Sequence, residues 1–256
     1  MKIILAGANG AMGHTLSSLA PQRGVTVVAG FDTQTIPTRY GYNIYSDFSQ
    51  IVEKADVLVD FSHFSALHEV GEYCLRNNLP LISAITGLSK EEEEYLVGIS
   101  GATAVFRSAN FSLGISLLKK LTQISSGLLS GSFDIEIVEY HHNRKVDSPS
   151  GTAHLLAQSV IDGSPEDLNL LYGRALSKDN RRAHRDVAIH SIRGGSIVGS
   201  HEVIFAGEGE MLKLTHHALS KEVFASGALS ACEFMAGKKN GYFTMDDIVS
   251  EKLRDI

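Results

Sequence analysis

The segment His141-His142-Asn143-Arg144-Lys145-Val146-Asp147-Ser148-Pro149-Ser150-Gly151-Thr152 gathers proton-transfer groups, cations and a small-residue turn in twelve positions. Histidine titrates nearest to neutral pH and suits acid or base work, while lysine adds a fixed charge or a proton. His141 and His142 are adjacent and would face opposite sides of a strand, so one of them meets a reacting atom. Ser150, Gly151 and Thr152 lead into an apolar helical pattern over 153–160, whose first N–H groups are placed to hold a carboxylate. The chemistry this suggests is binding and protonation of an acidic small molecule. Taken alone, the same residues also fit an exposed basic turn with a Ser/Thr cap.

A second cluster, Gly7-Ala8-Asn9-Gly10-Ala11-Met12-Gly13, is a glycine-rich loop between a strand and a helix. Glycines let a backbone turn tightly and approach a pyrophosphate, and the helix N-terminus adds dipole and N–H donors. Asp32 ends the second predicted strand, where an acid binds ribose hydroxyls. No arginine adjoins it to receive a 2′-phosphate, which favours NADH; Arg39 is near enough in sequence to keep NADPH open. The alternative is a structural glycine turn and a solvated strand-end acid. Loops after later strands should border the same cofactor through Phe61, Ala84, Thr86, Gly87, Asn110 and Phe111, because open α/β sheets bind ligands beyond the carboxyl ends of their strands.

The elements that must position these groups follow from the apolar rhythm. Strands are expected at 2–6, 25–31, 57–61, 81–85 and 104–106, with helices at 66–77 and 90–99 between them, which implies βαβ units. After a break at 108–112 come a helix over 113–129 and strands at 133–139, 187–192, 197–205 and 211–215. Turns at Arg193-Gly194-Gly195 and Gly207-Glu208-Gly209-Glu210 predict antiparallel hairpins among the last three, after a polar loop around 177–185. A helix over 221–236 ends at Gly237. The expected fold class is α/β: a Rossmann-type dinucleotide-binding domain with a parallel sheet over 1–112, plus a second α+β domain with a mixed or antiparallel sheet over 113–217. Residues 218–256 are expected to return to the first domain.

The chain has 256 residues, 43% hydrophobic and 20% charged, ordinary for a globular protein. Its net charge of -6 argues against nucleic-acid binding, which needs a basic face. No stretch has the length of a membrane span and none precedes the first strand as a leader, so a cytoplasmic location is expected. Cys74 and Cys232 lack metal-ligand spacing and are expected as buried thiols. His201, His216 and His217 lack any metal motif and are expected to be structural or interface histidines, with no metal site.

Read together, the loop at 7–13, the block Glu139-Tyr-His-His-Asn-Arg-Lys-Val-Asp-Ser-Pro-Ser-Gly-Thr-Ala153 and the stretch Ser191-Ile-Arg-Gly-Gly-Ser-Ile-Val-Gly-Ser-His-Glu-Val203 resemble the 4-hydroxy-tetrahydrodipicolinate reductase family, also called dihydrodipicolinate reductase. The resemblance runs from residue 1 to the last helix. It implies an NADH- or NADPH-dependent oxidoreductase of the diaminopimelate route to lysine, acting on a small dicarboxylate and usually a homotetramer. By position it implies His141 as proton donor, Lys145 as catalytic lysine, and His142, Gly151 and Thr152 as substrate-binding residues; Ser150 joins them from the turn itself, whose backbone and hydroxyl donors can hold a carboxylate. Gly7, Asn9, Gly10, Ala11, Met12 and Gly13 fall on its dinucleotide loop, and Asp32 on its ribose acid. Family members commonly have Gly-Thr-Thr-Gly where this chain has Ala84-Ile85-Thr86-Gly87, and some carry a basic residue in the loop occupied by Phe61-Ser62-His63. The residues alone leave rivals: a dehydrogenase of another small acid, a nucleotide-sensing regulator, or a metal-dependent hydrolase without the usual ligand spacing.

Overall fold

After Lys2, every residue of the first strand, β1 (Lys2–Ala6), is buried. A run without alternation fits a strand covered on both faces, as parallel sheets require. In the computed structural model, which describes residues 1–174 and 181–254, β1 lies in a unit formed by Met1–Leu113 and Lys221–Ile256. After it come α1 (Ala11–Leu19), β2 (Thr26–Phe31), β3 (Asn43–Tyr45), β4 (Val57–Asp60), α2 (Leu67–Asn77), β5 (Leu81–Ser83), α3 (Lys90–Ile99) and β6 (Ala104–Arg107). The second unit, Gly114–Ser220, takes in most of α4 (Leu113–Leu129) and contains β7 (Asp134–His141), α5 (Gly151–Gly163), β8 (Asn169–Tyr172), β9 (Asp186–Arg193), β10 (Gly199–Ala206) and β11 (Met211–Ala218). The chain then completes the first unit with α6 (Glu222–Met235), β12 (Gly241–Phe243) and α7 (Met245–Arg254).

Among the described residues the first unit has one seven-stranded sheet, in the order β3-β2-β1-β4-β5-β6-β12, with every pairing parallel. Ile3 and Leu5 face a core built with Leu16 of α1 and Ala228, Leu229 and Cys232 of α6. Ile4 and Ala6 face the other side, against Leu67, Val70 and Cys74 of α2 and Leu96 of α3. The cysteines are free and buried on opposite faces, and burial pushes both thiols up, Cys232 to about 12. Strand order reverses between β1 and β4, so a crevice opens there at the carboxyl ends. The three-residue strands β3 and β12 were not expected; both are edge strands too short to display a period.

The second unit is organised by β7, whose burial alternates strictly from Asp134 to His141. Its sheet has the order β11-β10-β7-β9-β8, with β7 parallel to β9 and antiparallel to β10. The expectation of hairpins is corrected here. The turn at 207–210 does join antiparallel β10 and β11, but β9 and β10 do not pair across Arg193-Gly194-Gly195, because β7 lies between them. A β9–β10 pairing would displace β7 to an edge and leave one of its backbone rows unpaired. The edge strand β8 was also unexpected, and the expected polar loop falls at 177–180 outside the described residues.

Register places the inward side chains in rungs across the sheet. Ile135, Val187 and Phe205 form one rung, and Ile137, Ile189 and Val203 the next. These pack under Ile115 and Leu118 of α4 and Leu156 and Val160 of α5. The same face continues into polar rungs: Glu139 beside Ser191 and His201, then His141 beside Arg193. Across β11, His216 stands opposite His201. Among the described residues no helix is long and apolar enough to cross a membrane.

Gly227 of α6 has no room for a side chain, since a Cβ there would stand 1.7 Å from the Phe111 carbonyl oxygen. Gly227→Ala should therefore destabilise the protein by about 1–3 kcal/mol, as overpacked sites do. Urea denaturation measures this, and an unchanged midpoint would contradict the packing.

Candidate active site

In the second unit the polar rungs close around one carboxylate. Glu139 is fully buried, yet every lone-pair direction is used. Its Oε2 accepts from His141 Nδ1 at 2.5 Å and from Arg193 Nη1 at 2.8 Å. Its Oε1 accepts from Arg193 Nη2 at 2.7 Å and from the Ser150 backbone N–H at 3.2 Å. Burial pushes the Glu139 carboxyl upward, but the bonds from Arg193 and His141 outweigh it and hold the group at about 2. His141 is pulled below 6.5, first by burial and then by Lys145 and Arg193, against the opposing pull of Glu139. The neutral form is thereby favoured, and because an ionised Glu139 can only accept, the contact calls for the proton on Nδ1 and the lone pair on Nε2. That nitrogen faces Gly199, where a Cβ would stand 3.1 Å away.

Ser150 links this cluster to α5. Its hydroxyl accepts from the Ala153 N–H, as an N-cap should, and lies 3.1 Å from His201 Nε2. Burial first, and then the closeness of His141, where a second proton would be repelled, depress His201 to about 3, so it stays neutral beside its neighbours. The rings of His141 and His201 meet edge to face at 5.2 Å. Ser150 is thus a buried structural cap, whereas Gly151 is exposed and a Cβ on it would meet nothing within 4 Å. Nothing among the described residues demands a glycine there, while close approach of a ligand to the first α5 amides, those of Gly151 and Thr152, would favour one.

The loop 142–149 is fastened on two sides. Arg193 Nη2 donates to the Asp147 carbonyl at 2.8 Å, and the Asn143 N–H donates to the Gly195 carbonyl at 3.3 Å. Lys145, 22% exposed, pairs with Asp147 at 2.8 Å, which lowers the Asp147 carboxyl. The Nδ1 of His142 is buried with no hydrogen-bond partner among the described residues, a donor or acceptor available to a polar ligand. Arg144 is exposed. The cluster therefore joins a neutral imidazole, a lysine and a helix N-terminus, a set that can neutralise carboxylates and transfer a proton. His217 is engaged elsewhere, with Ser200 at 2.7 Å. Among the described residues no three His, Cys, Asp or Glu side chains are grouped to hold a metal ion.

In the first unit the loop after β1 is built on glycines that packing requires. A Cβ on Gly7 would lie 2.6 Å from the Phe61 carbonyl, and one on Gly13 would lie 2.4 Å from the Gly7 carbonyl. Gly10 begins α1 without a side-chain cap, so the amides of Ala11, Met12 and Gly13 lie at the positive end of the helix dipole. The Asn9 N–H donates to Asp32 at 2.9 Å, joining the loop to the β2 acid. This loop, open helix end and strand-end carboxylate fit a dinucleotide. Asp60, missed in the sequence, shapes the neighbouring loop: it accepts from the Ser62 N–H and hydroxyl at 2.9 and 2.6 Å, and burial raises it to about 6.

The remaining sequence candidates sit on loops at the same carboxyl edge. Ala84 donates to the Asp60 carbonyl, Thr86 is exposed, and Gly87 has a positive φ of 75°. Ile85 is buried in the core, which accounts for an apolar residue there, and its carbonyl is held by Arg107 at 2.8 Å. Asn110 accepts from the Ser112 N–H at 2.9 Å. The Phe111 ring packs into the core against Phe106, leaving its backbone as the part that could face a ligand. His63 is exposed and its ring lies tilted against Phe64, centroids 3.9 Å apart. Arg39 lies over the Tyr40 ring at 5.1 Å and donates to its hydroxyl.

A family model for the dihydrodipicolinate reductase N-terminus matches residues 1–111, and one for its C-terminus matches 114–249. The 4-hydroxy-tetrahydrodipicolinate reductase of Clostridium novyi is 46% identical over 98% of this chain and 99% of its own. That of Caldanaerobacter subterraneus is 42% identical with the same coverage. Among solved structures, a dipicolinate-bound dihydrodipicolinate reductase from Paenisporosarcina sp. TG-14 superposes with a TM-score of 0.80 at 22% identity, covering 95% of this chain and 97% of that one. An aspartate dehydrogenase from Thermotoga maritima reaches a TM-score of 0.54 at 12% identity, covering 93% and 97%.

The depressed His201 and Glu139 fix the sign of an acid effect. His201 stays neutral in the fold but takes a proton near 6.5 when unfolded. Its contribution is therefore present above 6.5 and is lost as pH falls toward 3, with about 1.4 kcal/mol gone by roughly pH 5.5. Glu139 adds a second loss as pH falls from its ordinary 4.5 toward about 2. Denaturation midpoints should fall between pH 7 and 5.5, and His201→Gln should flatten that slope; an unaltered slope in the variant would contradict the assignment.

Proposed function

The chain belongs to the dihydrodipicolinate reductase family, and from that premise we propose which of its residues perform the chemistry. It is an NAD(P)H-dependent oxidoreductase that reduces 4-hydroxy-tetrahydrodipicolinate in the diaminopimelate route to lysine. The substrate gains a hydride and a proton, loses its 4-hydroxyl as water, and becomes tetrahydrodipicolinate. When bound, the reduced nicotinamide dinucleotide supplies the hydride.

The observation that carries the residue assignment is the meeting of His141, the loop with Lys145 and the N-terminus of α5 around Glu139. Lys145, His142 and the amides of Gly151 and Thr152 hold and neutralise the two substrate carboxylates, with Ser150 keeping the helix end in place. His141 delivers the proton. It is neutral in the free protein, but two arriving carboxylates favour its charged form, so Nε2 takes up a proton that it then donates. Because positioning and charge stabilisation carry most such rate enhancement, the role of Lys145 is to fix the acid as much as to neutralise it.

The loop residues Gly7, Asn9, Gly10, Ala11, Met12 and Gly13 would hold the pyrophosphate, Asp32 the adenosine ribose, and the edge loops with Phe61, Ala84, Thr86, Gly87, Asn110 and Phe111 the nicotinamide end. NADH is the favoured form: the Asp32 carboxylate opposes a 2′-phosphate, and Arg39 is engaged with Tyr40. A homotetramer of this chain accords with the second sheet, whose face away from α4 and α5 presents Val138, Tyr140 and the 43% exposed Ile192. A cytoplasmic location accords with two free buried thiols.

His141→Gln and Lys145→Ala should each lower kcat by roughly 10²- to 10⁴-fold while leaving dinucleotide affinity within about twofold. Steady-state assays with enzymatically generated substrate decide this, and unchanged turnover in both variants would overturn the assignment. In the same assay the wild-type protein should show a higher kcat/KM with NADH than with NADPH, and Asp32→Ser should narrow the ratio. A wild-type preference for NADPH would contradict the role given to Asp32.

A further inference from the structure

We propose that Glu139 is a positioning residue for the reduction, fixing both the tautomer of His141 and the placement of the carboxylate-binding turn; this rests on the assignment of His141 as proton donor. Glu139 is the one acid on the inward face of β7, at a position that continues Ile135 and Ile137. An apolar side chain there would extend the core without desolvating a charge, and buried ion pairs seldom surpass that alternative in stability. What the carboxylate adds is geometry. It holds an imidazole from its own strand, a guanidinium from β9 and a backbone amide from the start of α5 at 2.5 to 3.2 Å.

Each bond has a consequence for the chemistry. Accepting from Nδ1 leaves Nε2 of His141 as the atom that gains and delivers the proton, and the missing side chain of Gly199 spares that atom a contact at 3.1 Å. Accepting from the Ser150 N–H sets the first residue before the α5 amides, so the proton donor and the carboxylate-binding end are referred to one atom group. Arg193 takes both oxygens, preventing the carboxylate from rotating away, and carries the order on to the Asp147 carbonyl of the Lys145 loop. The charged and titratable groups around His141 are Glu139, Arg193 from β9, Lys145 from the loop and His201 from β10, with His216 of β11 behind it. Of these, Glu139 is the one that favours protonation of His141.

The test is long-range ¹H–¹⁵N NMR of histidine side chains in the full-length protein, with His141 signals identified by their loss in His141→Gln. In the wild-type protein at neutral pH, His141 should carry its proton on Nδ1. In Glu139→Gln the Nδ1–H population should fall and the His141 titration should shift to lower pH. With this, kcat should fall roughly 10- to 100-fold, as when the partner that orients an imidazole is removed, and KM for NADH should stay within about twofold. Glu139→Asp should recover part of kcat. A wild-type His141 protonated on Nε2 would overturn the proposal without recourse to any Glu139 variant, and so would an unshifted titration with unchanged kcat in Glu139→Gln. Full turnover in His141→Gln would instead remove the proton-donor assignment on which the proposal rests, a separate outcome from failure of the Glu139 coupling.

Discussion

A carboxylate buried at the end of β7 must be paired on every side or lose its charge, and the second unit is arranged to pair it. Glu139 stands where two apolar rungs give way to polar ones. Its charge is retained because Arg193 meets it in two parallel bonds and His141 and Ser150 complete its shell. The strand order supplies these partners: with β7 between β9 and β10, Arg193 arrives from one side and His201 from the other. Had β9 and β10 paired with each other, no such convergence would exist. Sheet topology therefore sets how this carboxylate is paired.

The first unit solves its binding problem by the opposite means. Side chains are withdrawn instead of paired: Gly7 passes the Phe61 carbonyl, Gly13 passes the Gly7 carbonyl, and α1 begins without a side-chain cap. What remains is backbone and dipole, suited to a diphosphate that must lie close to the chain. Two carboxylates beside these loops, Asp32 and Asp60, bond to backbone amides and shape them. A loop shaped by backbone and a cluster shaped by paired side chains thus belong to different units of one chain.

The legible parts of the sequence were those with a period or a strict steric demand. The strands of the first unit read as unbroken apolar runs because both faces are covered, and helices 90–99 and 113–129 fell at the expected residues. The block 139–153 and the glycine loop carried the family. Less legible was what depends on pairing between distant segments. Glu139 looked like any acid in an alternating strand, although its position in the apolar phase marked it as inward. Arg193 read as a turn residue because its partner lies 54 positions away. Short edge strands such as β3 and β12 owe their existence to a neighbour and carry no pattern of their own. Ile85, odd against the family's usual threonine, is explained only by the core into which it points.

His141, held by Glu139, is proposed to give the proton that completes reduction. The most direct measurement is the pH dependence of kcat for the wild-type protein and for His141→Gln. A proton donor gives a rate that falls as pH rises through its value in the substrate complex. If His141 is that donor, the descending limb is present in the wild-type protein and absent from the residual activity of the variant. A limb that persists unchanged in His141→Gln would contradict it.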